Sequence, residues 1–157
     1  MLRTLPLAQP WAETDPKAGS EELTMSGMLE DEKAIRDLMS RYCFLVDRVP
    51  ERDADAFSAM FTEDGVWNSA SLGKRADGRK QLRDFISEVY RSDAIYRHLI
   101  ANAIITIDGD RAAAHSYVHV SNLATGTPVC FMIAFYDDEL VKQNGKWLFK
   151  ARNVRDD

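Results

Sequence analysis

Asp47 lies near the end of the stretch Arg41-Tyr42-Cys43-Phe44-Leu45-Val46-Asp47-Arg48, which reads as the last turns of a helix. At helical pitch it lies beside Cys43 and Phe44, one turn back, rather than among exposed charges. Val49-Pro50 follows, and the residue before a proline leaves the helical region, so the helix should stop here. A carboxylate in that position faces the negative end of the helix dipole. Dipole and apolar neighbours both disfavour its negative charge, a setting that suits a general base better than a structural ion. These residues alone leave two readings open: a solvated Asp that ends the helix, or a base.

The other groups able to move a proton are His98, His115 and His119, all in the second half of the chain. His98 lies in Ile95-Tyr96-Arg97-His98-Leu99-Ile100, and strand parity puts it on one face with Ile100, Asn102 and Ile104, toward the interior. With a carboxylate partner it would be a proton acceptor; without one it would be a satisfied core or edge histidine. His115 and His119 have the spacing of a metal pair on a helix. They flank Tyr117-Val118 in a strand, however, where that spacing separates them by roughly 13 Å, so no joint metal site is expected. The chain has no Cys/His cluster, no glycine loop for phosphate and no Gly-x-Ser-x-Gly elbow.

The elements that must position these groups follow from the apolar pattern. Ile35, Leu38, Met39, Tyr42, Leu45 and Val46 mark one stripe of a first helix, over about Leu29–Asp47, with Glu30, Asp31 and Glu32 at its favourable start. A shorter helix fits Asp53–Phe61 with Asp53 as cap. Thr62-Glu63-Asp64-Gly65 reads as a turn, Val66-Trp67-Asn68-Ser69 as the start of a strand, and Gly73–Gly78 as a polar loop. Arg79–Arg91 forms a third helix on the stripe Leu82, Phe85, Ile86, Val89 and Tyr90. Strands then run over Tyr96–Ile107, Arg111–Leu123, Val129–Val141 and Trp147 to about Val154, with turns at Asp108-Gly109-Asp110, Ala124–Pro128 and Gln143–Lys146. Both faces of Val129–Tyr136 are largely apolar, as when one meets helices and the other meets a partner. Helices first and an antiparallel meander after is an α+β order, and a strongly bent sheet wrapped round the helices would enclose a pocket.

The 157 residues suffice for one domain, and 45% hydrophobic with 29% charged residues is an ordinary globular composition. A net charge of −5, with no basic cluster longer than Gly73-Lys74-Arg75, argues against nucleic-acid binding. No membrane span or signal-peptide core appears, and cytoplasmic is the default location. Cys43 and Cys130 fall in apolar runs and read as buried free thiols, with a disulfide left open. Residues 1–28, with scattered prolines and no sustained period, read as a flexible N-terminal arm before a domain over 29–157. Met25 and Met28 leave a later start open. The alternative is an arm that packs on a neighbouring subunit through Leu5, Leu7 and Trp11.

From about Leu29 to Val154 the chain resembles the SnoaL-like branch of the NTF2-like superfamily, the cone-shaped α+β fold. The residues that carry the resemblance are Tyr42-…-Val46-Asp47-Arg48, Met60-Phe61-Thr62-Glu63-Asp64-Gly65-Val66-Trp67, Gly78-Arg79, His98 before Ile104-Ile105-Thr106-Ile107, and Asn144-Gly145-Lys146-Trp147. The resemblance implies three N-terminal helices packed on a strongly bent mixed or antiparallel sheet. Tyr-x4-Asp with the later His resembles the lyases of the group: scytalone dehydratase, bile-acid 7α-dehydratase and hexachlorocyclohexane dehydrochlorinase. By that likeness Asp47 is the carboxylate of a dyad, His98 the base, and Tyr42 a hydroxyl on the substrate. Arg152 or Arg155, His115, Ser116, Tyr117 and Trp67 are the implied substrate contacts. The implied activity is a cofactor-independent, metal-independent elimination or isomerisation of a hydrophobic cyclic small molecule by a homo-oligomer, dimer or trimer. The alternatives within the family are a non-catalytic binding or assembly module, such as a ring-hydroxylating dioxygenase β-subunit-like protein, and a polyketide cyclase.

Overall fold

The first helix buries Ile35, Leu38, Met39, Tyr42, Cys43 and Val46 along one stripe, at the spacing the sequence shows. In the computed structural model, which describes residues 21–48 and 51–156, this helix (α1) runs Glu21–Val46 and so begins before the expected Leu29. The expected arm falls largely on residues 1–20, outside the described residues. A short helix α2, Ala54–Ala59, is capped by Asp53, whose Oδ1 accepts from the Ala56 N–H at 2.8 Å. Such a cap contributes on the order of 1 kcal/mol. The helix stops before the expected Phe61 because Phe61 opens β1, Phe61–Ser69.

Thr62-Glu63-Asp64-Gly65, expected as a turn, is instead an irregular stretch inside β1. Phe61 pairs with Phe149 and Val66 with Ala151, so the extra residues bulge out of the ladder. Gly65 is required there: a Cβ would meet the Phe61 Cβ at 2.8 Å and the Phe149 carbonyl oxygen at 3.1 Å. The expected loop Gly73–Gly78 contains a strand, β2, Lys74–Asp77, antiparallel to β1. It reads as a loop because it is a short polar edge strand, in which Ala76 alone is buried. Helix α3, Gly78–Arg91, follows, so the three helices are not all N-terminal. Its buried stripe is Leu82, Ile86 and Tyr90.

Strands β3 (Tyr96–Asp108), β4 (Arg111–Asn122), β5 (Val129–Gln143) and β6 (Lys146–Arg155) form the meander. The six strands lie in the order β2-β1-β6-β5-β4-β3, antiparallel except for the parallel pair β1 and β6. The sheet is therefore mixed, and its inner face packs on the helices to form an α+β core around Phe57, Phe61, Leu82, Ile86, Leu140 and Phe149. Truncating a ring such as Phe149 to Ala in such a core costs about 3–5 kcal/mol. Register breaks in β3, β4–β5 and β5–β6 bend the sheet around that core.

Two of these breaks change which way side chains point. The β3 break falls between Ala101 and Ile104, where Asn102 has φ 53°, so strand parity does not carry through it. His98 and Ile100 stay half-buried, whereas Asn102 and Ile104 are exposed. The second break leaves Phe131 between the paired residues Cys130 and Met132 of β5. Cys130 is thereby exposed, not buried as expected, while Cys43 is buried; both are free thiols. No described helix is long and apolar enough to cross a membrane.

Candidate active site

Asp47 follows the last residue of α1, its N–H donating to the Cys43 carbonyl at 2.9 Å. The chain then leaves the helix at Arg48, with φ 64°. The Arg48 guanidinium crosses to the C-terminus of α3, where it donates to the carbonyls of Val89 and Ser92 and to Ser92 Oγ, the last at 2.9 Å. A cation there meets the negative end of the α3 dipole. The Tyr90 hydroxyl returns the contact by donating to the Leu45 carbonyl at 2.8 Å. The ends of α1 and α3 are thus fastened together, and Asp47 is fixed between them.

His98, on β3, takes both oxygens of that carboxylate. Its backbone N–H donates to Oδ2 at 2.9 Å, and its ring Nδ1 lies 2.6 Å from Oδ1. The two side chains are 9% and 7% exposed. With Nδ1 facing an acceptor, the neutral ring carries its hydrogen there, which leaves Nε2 as the basic nitrogen. His98 also lines a cavity of about 240 Å³, below the roughly 300–1,000 Å³ of drug-sized sites and suited to one or two rings.

Val120, Val154, Tyr42 and Tyr136, all buried, make the floor of that cavity. Trp67, Phe85 and Val89 make a wall, with Trp67 and Phe85 stacked at 4.4 Å between centroids. The rim is more exposed: Leu72, Lys74 and Phe131. Phe131 reaches the rim through the β5 bulge and packs on Tyr96 at 5.2 Å. A second cleft, of about 190 Å³ and lined in part by Cys43, Phe44 and Leu99, borders both Asp47 and His98.

Among the other residues expected at the site, Tyr42 and Trp67 line the cavity, and the Trp67 Nε1–H donates to the Tyr42 hydroxyl at 2.8 Å. Burial pushes the Tyr42 hydroxyl up to about pKa 12, with Arg152 pulling the other way, so at neutral pH it is a donor. Arg152 is fully buried and does not line the cavity. It forms a fork on Asp138 at 2.6 and 2.7 Å, behind the rings of Tyr42 and Tyr136. Ser116 points inward but is buried away from the cavity wall. His115, Tyr117 and Arg155 project from the outer face. Asp137 accepts from Arg155 Nε and lies 2.7 Å from His115 Nδ1, while Tyr117 packs on Phe135. Strand alternation explains the split, since His115 and Tyr117 are odd neighbours of the inward Ser116. His119 shares that outer face, with Nε2 3.3 Å from Ser121 Oγ. No group of three or more His, Cys, Asp or Glu among the described residues could hold a metal.

Tyr136, Tyr96 and Phe131 line the cavity without having been singled out in the sequence. Met132 and Tyr136 were expected on the outer, associating face of the late strands, but Tyr136 is buried and both line the cavity; nothing local announced the bulge that turns Phe131.

The SnoaL-like domain model matches residues 27–153. The chain belongs to the SnoaL-like family. An uncharacterised Mycobacterium tuberculosis relative is 26% identical to this SnoaL-like protein over 122 residues, 76% of this chain and 80% of the relative. A solved M. tuberculosis protein of unknown function is similar at 27% identity and TM-score 0.76, covering 85% of this chain and 75% of that one. A solved NTF2-like protein with a cystatin-like fold from Novosphingobium aromaticivorans shares the fold at TM-score 0.73 and 24% identity, over 86% and 87% of the two chains. Chemically, the SnoaL-like site offers an imidazole held by a carboxylate and a phenol donor at one apolar chamber.

Proposed function

We propose that this SnoaL-like protein is a cofactor-independent lyase of dehydratase type, or an isomerase, acting on a hydrophobic cyclic small molecule. The observation that carries the reading is His98, both of whose donors engage Asp47 while its ring borders the cavity. Removing a proton from carbon needs a base active near neutral pH in a site with little water. A carboxylate behind the ring fixes the tautomer and stabilises the imidazolium that forms. Tyr42 then donates to the substrate oxygen on which charge develops. An open cavity bordered by His98, whose ring is paired with Asp47, favours an enzyme; a cone filled by side chains would favour an assembly module. The exposed outer face, with Leu99 at 63% and Ile133 at 66%, suits a homo-oligomer, dimer or trimer.

The test is hydrogen–deuterium exchange α to the carbonyl of 1-tetralone in D2O, followed by NMR. Wild-type protein should accelerate exchange above buffer, and His98→Ala should return it to the buffer rate. Exchange equally fast with His98→Ala removes the mechanism.

A further inference from the structure

Among the described residues that line the cavity, Lys74 is the only one besides His98 able to carry a positive charge near neutral pH. It belongs to the edge strand β2, two residues before the buried Ala76, and it pairs with the buried Ser69 of β1. Strand alternation therefore gives it the inward side, while Arg75 and Asp77 pair with each other on the outer side. Lysine ordinarily takes the solvent side, so this one marks a place where charge meets the chamber. Strands β2 and β3 are the two edges of the sheet. Lys74 and His98 thus border the same cavity from opposite edges, and a molecule lying across it meets an imidazole at one end and an ammonium group at the other.

The ammonium group is held loosely. Its Nζ donates to Glu88 Oε1 of α3 at 2.8 Å, in a pair whose side chains are 44% and 67% exposed. Water screens such a pair, so it contributes little and an incoming anion can take the place of the Glu88 carboxylate. The exposed Leu72 and Phe131 also form the rim, and Phe85 and Val89 form the wall below Glu88. Apolar walls round a charge strengthen its pull on a ligand of opposite sign.

We propose that Lys74 is a specificity-determining residue, which selects a cyclic substrate bearing a carboxylate at the end remote from the reacting carbon. The inference rests on the lyase or isomerase reading and narrows its substrate from an apolar ring to an apolar ring with an acidic substituent. The ring fills the chamber against Trp67 and Phe85, and His98 faces the carbon that loses its proton. The carboxylate stays at the rim on Lys74, where it keeps part of its water and avoids the cost of full burial. The same contact sets direction. Turned end for end, the molecule would bring its anion to His98 and the Asp47 carboxylate behind it, and would leave Lys74 facing carbon.

The experiment measures binding, which needs no turnover. Affinities of 2-naphthoate and of its neutral counterpart 2-naphthamide are taken by isothermal titration calorimetry at pH 7. Lys74→Met keeps the length of the side chain and removes its charge. It should weaken 2-naphthoate about fivefold, the upper range for an exposed ion pair, while leaving 2-naphthamide unchanged. Lys74→Glu should weaken 2-naphthoate further. Glu88→Gln removes the competing acceptor and should tighten 2-naphthoate about twofold. Added salt should weaken 2-naphthoate alone. Equal losses for both ligands, or none, in Lys74→Met and Lys74→Glu overturn the role of Lys74. Charge-selective binding without α-proton exchange of 1-tetralone upholds Lys74 and removes the lyase reading. Exchange that depends on His98, with no discrimination between 2-naphthoate and 2-naphthamide in the Lys74 variants, does the reverse.

Discussion

His98 and Asp47 are joined twice, through the ring at 2.6 Å and through the backbone N–H at 2.9 Å. The second bond fixes where the strand passes the carboxylate, and the first fixes the ring that the strand carries. Removing the imidazole should therefore leave the fold intact. His98→Ala is expected to lower turnover by roughly 10²–10⁴-fold, the contribution of a positioned base. Circular dichroism and a thermal melt check the fold, and α-proton exchange reads the rate.

Asp47→Asn tests the orientation. An amide retains one acceptor for the His98 N–H but offers the ring a different partner, which permits the other tautomer. The expected loss is on the order of 10²–10⁴-fold, with substrate affinity little changed. Single-turnover rates beside equilibrium binding separate the two.

Arg152 and Asp138 are fully buried as a pair, so losing one partner strands the other. Asp138→Asn should cost about 3–5 kcal/mol of stability, read by denaturant unfolding. Arg155→Ala, on the exposed outer face, should change the midpoint far less.

Tyr42 links the site to alkaline stability. Its pKa is raised, to about 12 from the ordinary 10, because burial opposes the phenolate. A raised folded value gives stability that is full below the unfolded value near 10 and lost as pH climbs through about 12. Absorbance titration at 295 nm should show a late-ionising tyrosine fraction, from Tyr42, Tyr136 and Tyr90, with unfolding over that window. Tyr42→Phe should remove its share of the alkaline loss.

Leu99 and Ile133 stand opposite one another's strand neighbour His119 on the outer face. Ile133→Glu should shift the protein toward monomer in sedimentation velocity while leaving 1-tetralone binding unchanged. Unaltered sedimentation would place any assembly on another face.

Helix stripes and hairpin turns were legible because they depend on neighbours in the chain. Asp47 beside Cys43 is a spacing argument, and Asp108-Gly109-Asp110 forms its turn from its own residues. The pairing of Asp47 with His98 needed the family likeness, because their meeting is set by β3 crossing the end of α1. Inward and outward assignment failed where a bulge resets parity, as at Ile104. Arg152 was named, as an alternative to Arg155, only through the family likeness, and it lies buried behind the cavity rather than in its lining. Only three dimensions put Tyr42 and Tyr136 in front of it.

The parallel pairing of β1 with β6 has a consequence for how the chamber comes into being. The last strand lies between β1 and β5, and it carries Phe149, Arg152 and Val154 beneath the chamber. Until it inserts, the first hairpin and the later meander are two sheets with an open seam. During synthesis Asp47 and His98 can meet before that seam is sealed, but the vessel around them is finished only when β6 emerges.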